Sequence, residues 1–197
     1  KAIHEQHFQS SLSIFSYIQI FFTDLDMLPV KKSNPNGPCT VQRGCQAPAI
    51  GSAKIYVDGG VNRGENKGIV SAVCRDSSGT FLGASSVVFE GLTQPAILEA
   101  IACNEALSLA LDLNVSKLQN ATDCLQVVRN IEEENPCNYG VIVKEILVKK
   151  ELFQEASISH ESRACNLEAH NLVRASTSPE GRHLAHLPPP PPHHTHQ

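Results

Sequence analysis

Apolar and polar positions alternate from Lys54 to Asp58, with Ile55 and Val57 on one side and Tyr56 and Asp58 on the other. That period of two predicts a strand with one buried face, delivering an aspartate into Gly59-Gly60, which reads as a turn. Arg63 to Gly68 is polar and reads as a hairpin connection, and Ile69 to Cys74 as a second strand. Arg75 to Gly79 reads as a tight turn, and Thr80 to Glu90 as a third strand with Gly83 a candidate bulge. Three strands joined by short turns make an antiparallel meander.

The period then changes. Pro95 opens a helix in which Ile97, Leu98, Ile101, Ala102, Ala106, Leu109 and Ala110 recur at helical spacing. Glu99 lies roughly 100° round that helix from Leu98, at the rim of the apolar face. Val115 to Ala121 reads as a fourth strand ending in Thr122-Asp123-Cys124. Helices follow at Leu125 to Ile131 and Gly140 to Phe153, then a short strand at Ser157 to His160 and a last helix at Asn166 to Ala175. The succession predicts an α/β fold: a mixed five-stranded sheet, made of the meander plus two further strands and flanked by helices.

This domain is expected over residues 51–183. Residues 1–50, rich in proline after Met27, read as a poorly ordered lead-in or linker, and 184–197 as a disordered Pro/His tail. The apolar run from Leu12 to Phe22 is too short to span a bilayer. A chain of 197 residues with 41% hydrophobic residues suits one core, and the absence of tryptophan makes that core aliphatic.

Charge narrows the choice of partner. The formal charge is −4, and residues 54–182 hold twelve Lys or Arg against seventeen Asp or Glu. No global attraction to nucleic acid or to an acidic membrane follows, so any nucleic-acid contact must be local or helped by metal ions. The seven cysteines include no Cys-x-x-Cys pair, which argues against a zinc site and for reduced thiols in an intracellular protein of cytoplasm or nucleus, not a secreted one. A monomer is expected, since no heptad or exposed apolar stripe argues otherwise.

Three carboxylates arrive from three elements: Asp58 from the first strand, Glu99 from the helix after the meander, and Asp123 from the end of the fourth strand. Taken singly, Asp58 reads as a turn former or a ligand, and Asp123 as a helix cap or a ligand. Asp76 reads as a turn former.

The order of motifs resembles the plant ribonuclease H-like domain of the reverse-transcriptase-associated kind, found in proteins of retroelement descent. The resemblance rests on Lys54-x-Tyr56-Val57-Asp58-Gly59, Gly68-x-Val70, Cys74-Arg75-Asp76-x-x-Gly79, Leu98-Glu99-Ala100, Glu105-Ala106-Leu107-x-Leu109-Ala110, Thr122-Asp123-Cys124 and His160-x-x-Arg163-x-x-Asn166-x-x-Ala169. It covers residues 45 to 183. It implies a hydrolase that cuts the RNA strand of an RNA–DNA hybrid internally, with carboxylates holding two Mg2+ or Mn2+ ions. By the resemblance Asp58, Glu99 and Asp123 are the metal ligands, and His160 assists proton transfer. Gly59, Gly60, Asn62, Asn104 and Thr122 are candidate substrate contacts by position.

One position departs from the family pattern. Active relatives carry a fourth carboxylate in Asn-x-x-Ala-Asp-x-Leu-Ala, whereas this chain has His170 in the aspartate's place. Glu168 points about 200° away on the same helix and is no substitute. An imidazole removes a negative charge from a site built for hard cations, so the two-metal site is expected to be incomplete. The expectation is an enzyme weakened at His170, or a domesticated, inactive fold that binds nucleic acid or a protein partner. Binding is expected to be modest and salt-sensitive, because the segment after Ile131 is acidic.

Overall fold

The computed structural model describes residues 45, 47–176 and 183–186. Most of the expected lead-in and tail therefore lies outside the described residues. The alternation at the head of the domain becomes β1, Ala53–Asn62, followed by β2, Lys67–Arg75, and β3, Phe81–Glu90, as the expected meander. α1 spans Pro95–Asp112, β4 Lys117–Thr122, α2 Leu125–Glu132, α3 Gly140–Lys150, β5 Glu155–His160 and α4 Leu167–Ala175. A sixth strand that periodicity did not reveal, β6, His183–His186, pairs antiparallel with β3.

The strand order is β5-β4-β1-β2-β3-β6, with β1, β4 and β5 parallel and the remaining pairs antiparallel. The sheet register slips between Cys74 and Arg75, whose partners are Gly83 and Phe81, so the irregularity lies beside Gly83 as read from sequence. α1 covers one face, where Ile55, Val57, Val70, Ala72 and Cys74 bury against Leu98, Ala102, Cys103 and Ala106. α4 covers the other face, where Ser71 Oγ donates to Ala169 O at 2.7 Å.

Gly59-Gly60 is not a turn. β1 continues through both glycines, and the chain reverses at 63–66, with Asn66 at φ 53°. The physical reason is helix approach. A Cβ on Gly59 would lie 2.8 Å from Glu99 N and Leu98 C, and one on Gly60 would lie 2.4 Å from Val173 Cγ1. The glycines let α1 and α4 close on opposite faces of the same strand. Asp76 is a turn former as expected: its Oδ1 accepts from Ser78 N (2.8 Å), Ser78 Oγ (2.6 Å) and Thr80 N (2.9 Å).

Two further expectations are corrected. Cys45 and Cys165 form a disulfide, so the cysteines are not uniformly reduced. Their separation of 120 residues hid the pair from any local spacing rule. On α3 and the turn beyond it, Val141, Val148 and Leu152 are exposed, an apolar row where none was expected. Among the described residues no helix is long and apolar enough to cross a membrane.

Candidate metal and nucleic-acid site

The parallel strands set the site. β1 and β4 run side by side to the pair Val57 and Thr122, then β4 ends while β1 continues. Asp58 and Asp123 are the next residues on either side of this fork. His160 ends β5 opposite Thr122, at the same edge of the sheet, and is exposed. Crevices beyond the carboxyl ends of parallel strands are the usual ligand places in open α/β sheets.

α1 completes the cluster by crossing β1 at Gly59. That contact brings Glu99 to the fork, where oxygen atoms of Asp58, Glu99 and Asp123 all lie within 4.8 Å of one another. Both Glu99 oxygens are held: Gly59 N donates to Oε1 at 3.2 Å and the Thr122 hydroxyl to Oε2 at 3.0 Å. Thr122 Oγ1 also accepts Cys124 N–H at 3.1 Å. Cys124, not Asp123, occupies the N-cap of α2, and no side chain caps that helix, so Asp123 is free of the capping role.

The cluster is electrostatically unbalanced. Glu99 is pushed up to about 8, first by burial and then by the charges of Asp58 and Asp123, against the two hydrogen bonds it accepts. Asp58, 5% exposed, is raised by burial, while hydrogen bonding and charge from His170 oppose that rise. Three oxygen ligands short of a countercharge suit a hard divalent cation. On this donor set the residues fit a divalent metal ion held by Asp58, Glu99 and Asp123.

His170 stands beside the cluster. Its Nδ1 lies 3.0 Å from Asp58 Oδ2. Arg163 Nη2 lies 3.3 Å from Nδ1 and 3.2 Å from Nε2. A nitrogen nearly equidistant from both ring nitrogens lies along neither lone pair, so the guanidinium sits over the imidazole face. The imidazole beside the carboxylates is thus hydrogen-bonded to Asp58 and has the Arg163 guanidinium against its ring. Glu168 is engaged elsewhere, paired to Arg75 through Nε at 2.8 Å and Nη2 at 2.5 Å.

Of the proposed substrate contacts, Gly59 and Thr122 touch Glu99 rather than open space, and Thr122 is fully buried. Gly60 and Asn62 line a groove beside His170, with Asn62 Oδ1 also accepting Glu65 N at 3.3 Å. Asn104 is tied to α3 through Glu145 at 2.9 Å.

Sequence reasoning gave no role to Asn166, although it belongs to the motif. Its Nδ2 donates to Val57 O at 2.5 Å, and one helical turn later His170 N bonds Asn166 O. Asn166 therefore pins α4 to β1 and sets His170 against Asp58. Lys54, 1% exposed, pairs with Glu161 and ties the β5–α4 connection to the head of β1. The near-invisible signal for this pair was a lysine at an otherwise apolar strand start.

Residues 56–176 match the reverse transcriptase-like family. The chain belongs to that family. No curated relative matches the sequence. Among solved structures, ribonuclease H1 from the halophilic archaeon Halobacterium salinarum is 21% identical, with a TM-score of 0.55 over 62% of this chain and 95% of that one. LC11-RNase H1 in complex with an RNA/DNA hybrid, an enzyme isolated from compost, is 20% identical, with a TM-score of 0.56 over 63% of this chain and 95% of that one. A foamy viral protease-reverse transcriptase in complex with double-stranded DNA is 21% identical, with a TM-score of 0.54 over 62% and 92%. The domain has the ribonuclease H-like fold, and its carboxylate cluster is compatible with divalent-metal and nucleic-acid binding.

Proposed function

We propose that this domain binds an RNA–DNA hybrid and hydrolyses its RNA strand as a weak, metal-dependent endonuclease. The observation that carries the reading is the meeting of Asp58, Glu99 and Asp123 within 4.8 Å on a ribonuclease H-like sheet. Magnesium or manganese, when bound there, would offset phosphate charge and lower the pKa of a bound water. Asp58, Glu99 and Asp123 would hold the ion, Thr122 and Gly59 orient Glu99, and His160, exposed at the end of β5, would assist proton transfer. Hybrid recognition would read shape and 2′-hydroxyls rather than base sequence. The plant and retroelement descent suggested by the motifs, a monomeric state and a place in the cytoplasm or nucleus belong to the same reading. The disulfide removes the cysteine argument from that last point.

A second reading is supported by His170 Nδ1 at 3.0 Å from Asp58. An imidazole and the Arg163 guanidinium stand where a fourth carboxylate would draw in a second ion, which favours a domain that binds without cutting.

Hydrolysis of a labelled RNA–DNA hybrid in magnesium and then manganese separates the two. Cleavage by the wild type, abolished in Asp58→Asn, supports the enzyme. A silent wild type with an active His170→Asp identifies a binding module on a nuclease scaffold. Silence from all three defeats the nuclease reading.

A further inference from the structure

α3 is an 11-residue helix that carries apolar residues on two opposite sides. Val143 and Ile146 are buried against the domain, while Val141 is 82% exposed, Val148 69% and Leu152, in the turn beyond the helix, 64%. At about 100° per residue, Val141 and Val148 point within about 20° of each other and about 170° from the mean direction of the buried pair. Leu152 N bonds Lys149 O and Phe153 N bonds Lys150 O, which keeps the turn on the helical path and carries Leu152 to the same outer side. Among the described residues, nothing covers this row.

Opposite charges flank the row on both sides. Lys144 and Glu151 lie on one flank, both exposed, and neither has an ion-pair partner among the described residues. Glu145 and Lys149 lie on the other flank, 2.9 Å apart. The order of these residues is self-complementary. When α3 of a second copy is laid antiparallel with a two-fold axis at Leu147 and Val148, Val148 meets Val148 and Val141 meets Leu152. On the flanks Lys144 then meets Glu151 and Glu145 meets Lys149, each contact made twice, as a two-fold interface requires.

We propose that α3 is a dimerisation surface, on which a second copy of this chain packs antiparallel through Val141, Val148 and Leu152, its register set by Lys144 against Glu151 and Glu145 against Lys149. The inference stands apart from the nuclease reading. It replaces the monomeric state, whose ground was the absence of an exposed apolar stripe. The occupant follows from charge: any partner must match two lysines and two glutamates around an apolar row, and this helix matches them position by position. A groove of about 480 Å³ at the head of α3, with Val141, Val143 and Leu147 in its wall, gives Leu152 of the second copy an apolar place to enter. Two helices of this length bury less than the ~1,200–2,000 Å² of stable interfaces, so the dimer is a weak one, with a dissociation constant on the order of 10–100 μM.

Sedimentation velocity of the full oxidised chain, from about 1 μM to about 1 mM, tests this. The wild type should pass from monomer to dimer across that range. Val148→Glu brings two carboxylates together on the axis and should weaken the dimer at least about tenfold. Lys144→Glu and Glu151→Lys each set like charges across the interface and should each weaken it similarly, yet an equal mixture of the two should dimerise like the wild type, because the heterodimer restores opposite charges in both pairs. Unchanged melting temperatures confirm that the variants fold. A wild type that stays monomeric throughout overturns the proposal and leaves the row to a partner of another sequence. Dimers that survive Val148→Glu overturn it as well, since another part of the chain, the Leu12 to Phe22 run included, would then join the copies. So does a mixture of the two charge variants that associates no better than either alone, because the copies are then not paired antiparallel on α3.

Discussion

At the scale of the residue, Glu99 carries the most information. Its carboxyl is held up to about 8 in the folded chain, against an ordinary value of 4.5 once unfolded. Between those values the unfolded chain releases the proton and the folded chain keeps it, so stability falls as pH rises through that window. Metal-free protein should therefore melt progressively lower from about pH 5 to about pH 8, by an amount worth a few kcal/mol at most. Glu99→Gln should flatten that profile, and added magnesium should flatten it in the wild type by compensating the same charge. A melting series with and without the ion checks both, and a flat metal-free wild-type profile would remove the electrostatic argument for the site. Thr122→Val should leave Glu99 Oε2 and Cys124 N without a partner and lower metal affinity, by about 1–2 kcal/mol for a lost hydrogen bond in a buried setting. Manganese titration followed calorimetrically gives the number.

At the scale of the element, the site depends on how closely two helices approach one strand. Gly59→Ala would drive a methyl group to 2.8 Å from the backbone of α1. It should cost about 1–3 kcal/mol of stability in urea and displace Glu99, reducing metal affinity as well. Asn166→Ala should release α4 from Val57 O at about 1–3 kcal/mol, the range for an unpaired buried group, and loosen His170 from Asp58. Period-two alternation exposed five of the strands, and the change to helical spacing at Pro95 exposed α1, whereas the joint role of the three carboxylates came only from the family resemblance, since singly Asp58 reads equally as a turn former and Asp123 as a cap. The glycine pair was misread because a glycine that admits a neighbouring helix and a glycine that permits a turn look identical in sequence. β6 was unreadable because four residues give too short a pattern, and its pairing is made by β3. The role of Asn166 was equally hidden: an asparagine near a helix start looks like a cap, and its partner lies 109 positions away.

At the scale of the whole molecule, the two faces of the sheet do different work. The α1 face is a continuous aliphatic core, while the α4 face mixes apolar packing with the Lys54–Glu161 and Arg75–Glu168 pairs. α4 is thereby anchored through polar contacts, and the disulfide at Cys165 reinforces it just before the helix begins. Reducing that bond should lower stability, by no more than about 5 kcal/mol if the chain-entropy argument for a loop beyond 100 residues holds in full. Cys45→Ser should match the reduced wild type in urea, and a midpoint insensitive to reductant would show the bond adds nothing to the folded state.

That bond has a mechanical meaning. Cys45 and Cys165 lie before β1 and just ahead of α4, so every carboxylate of the cluster sits inside a covalent ring. Tension applied to the two ends of the chain would pass across the sulfur bridge and leave β1 to β5 unpulled. In a force-extension trace the oxidised protein should unravel short by about 430 Å of contour, the reach of a sequence separation of 120 at about 3.6 Å per residue.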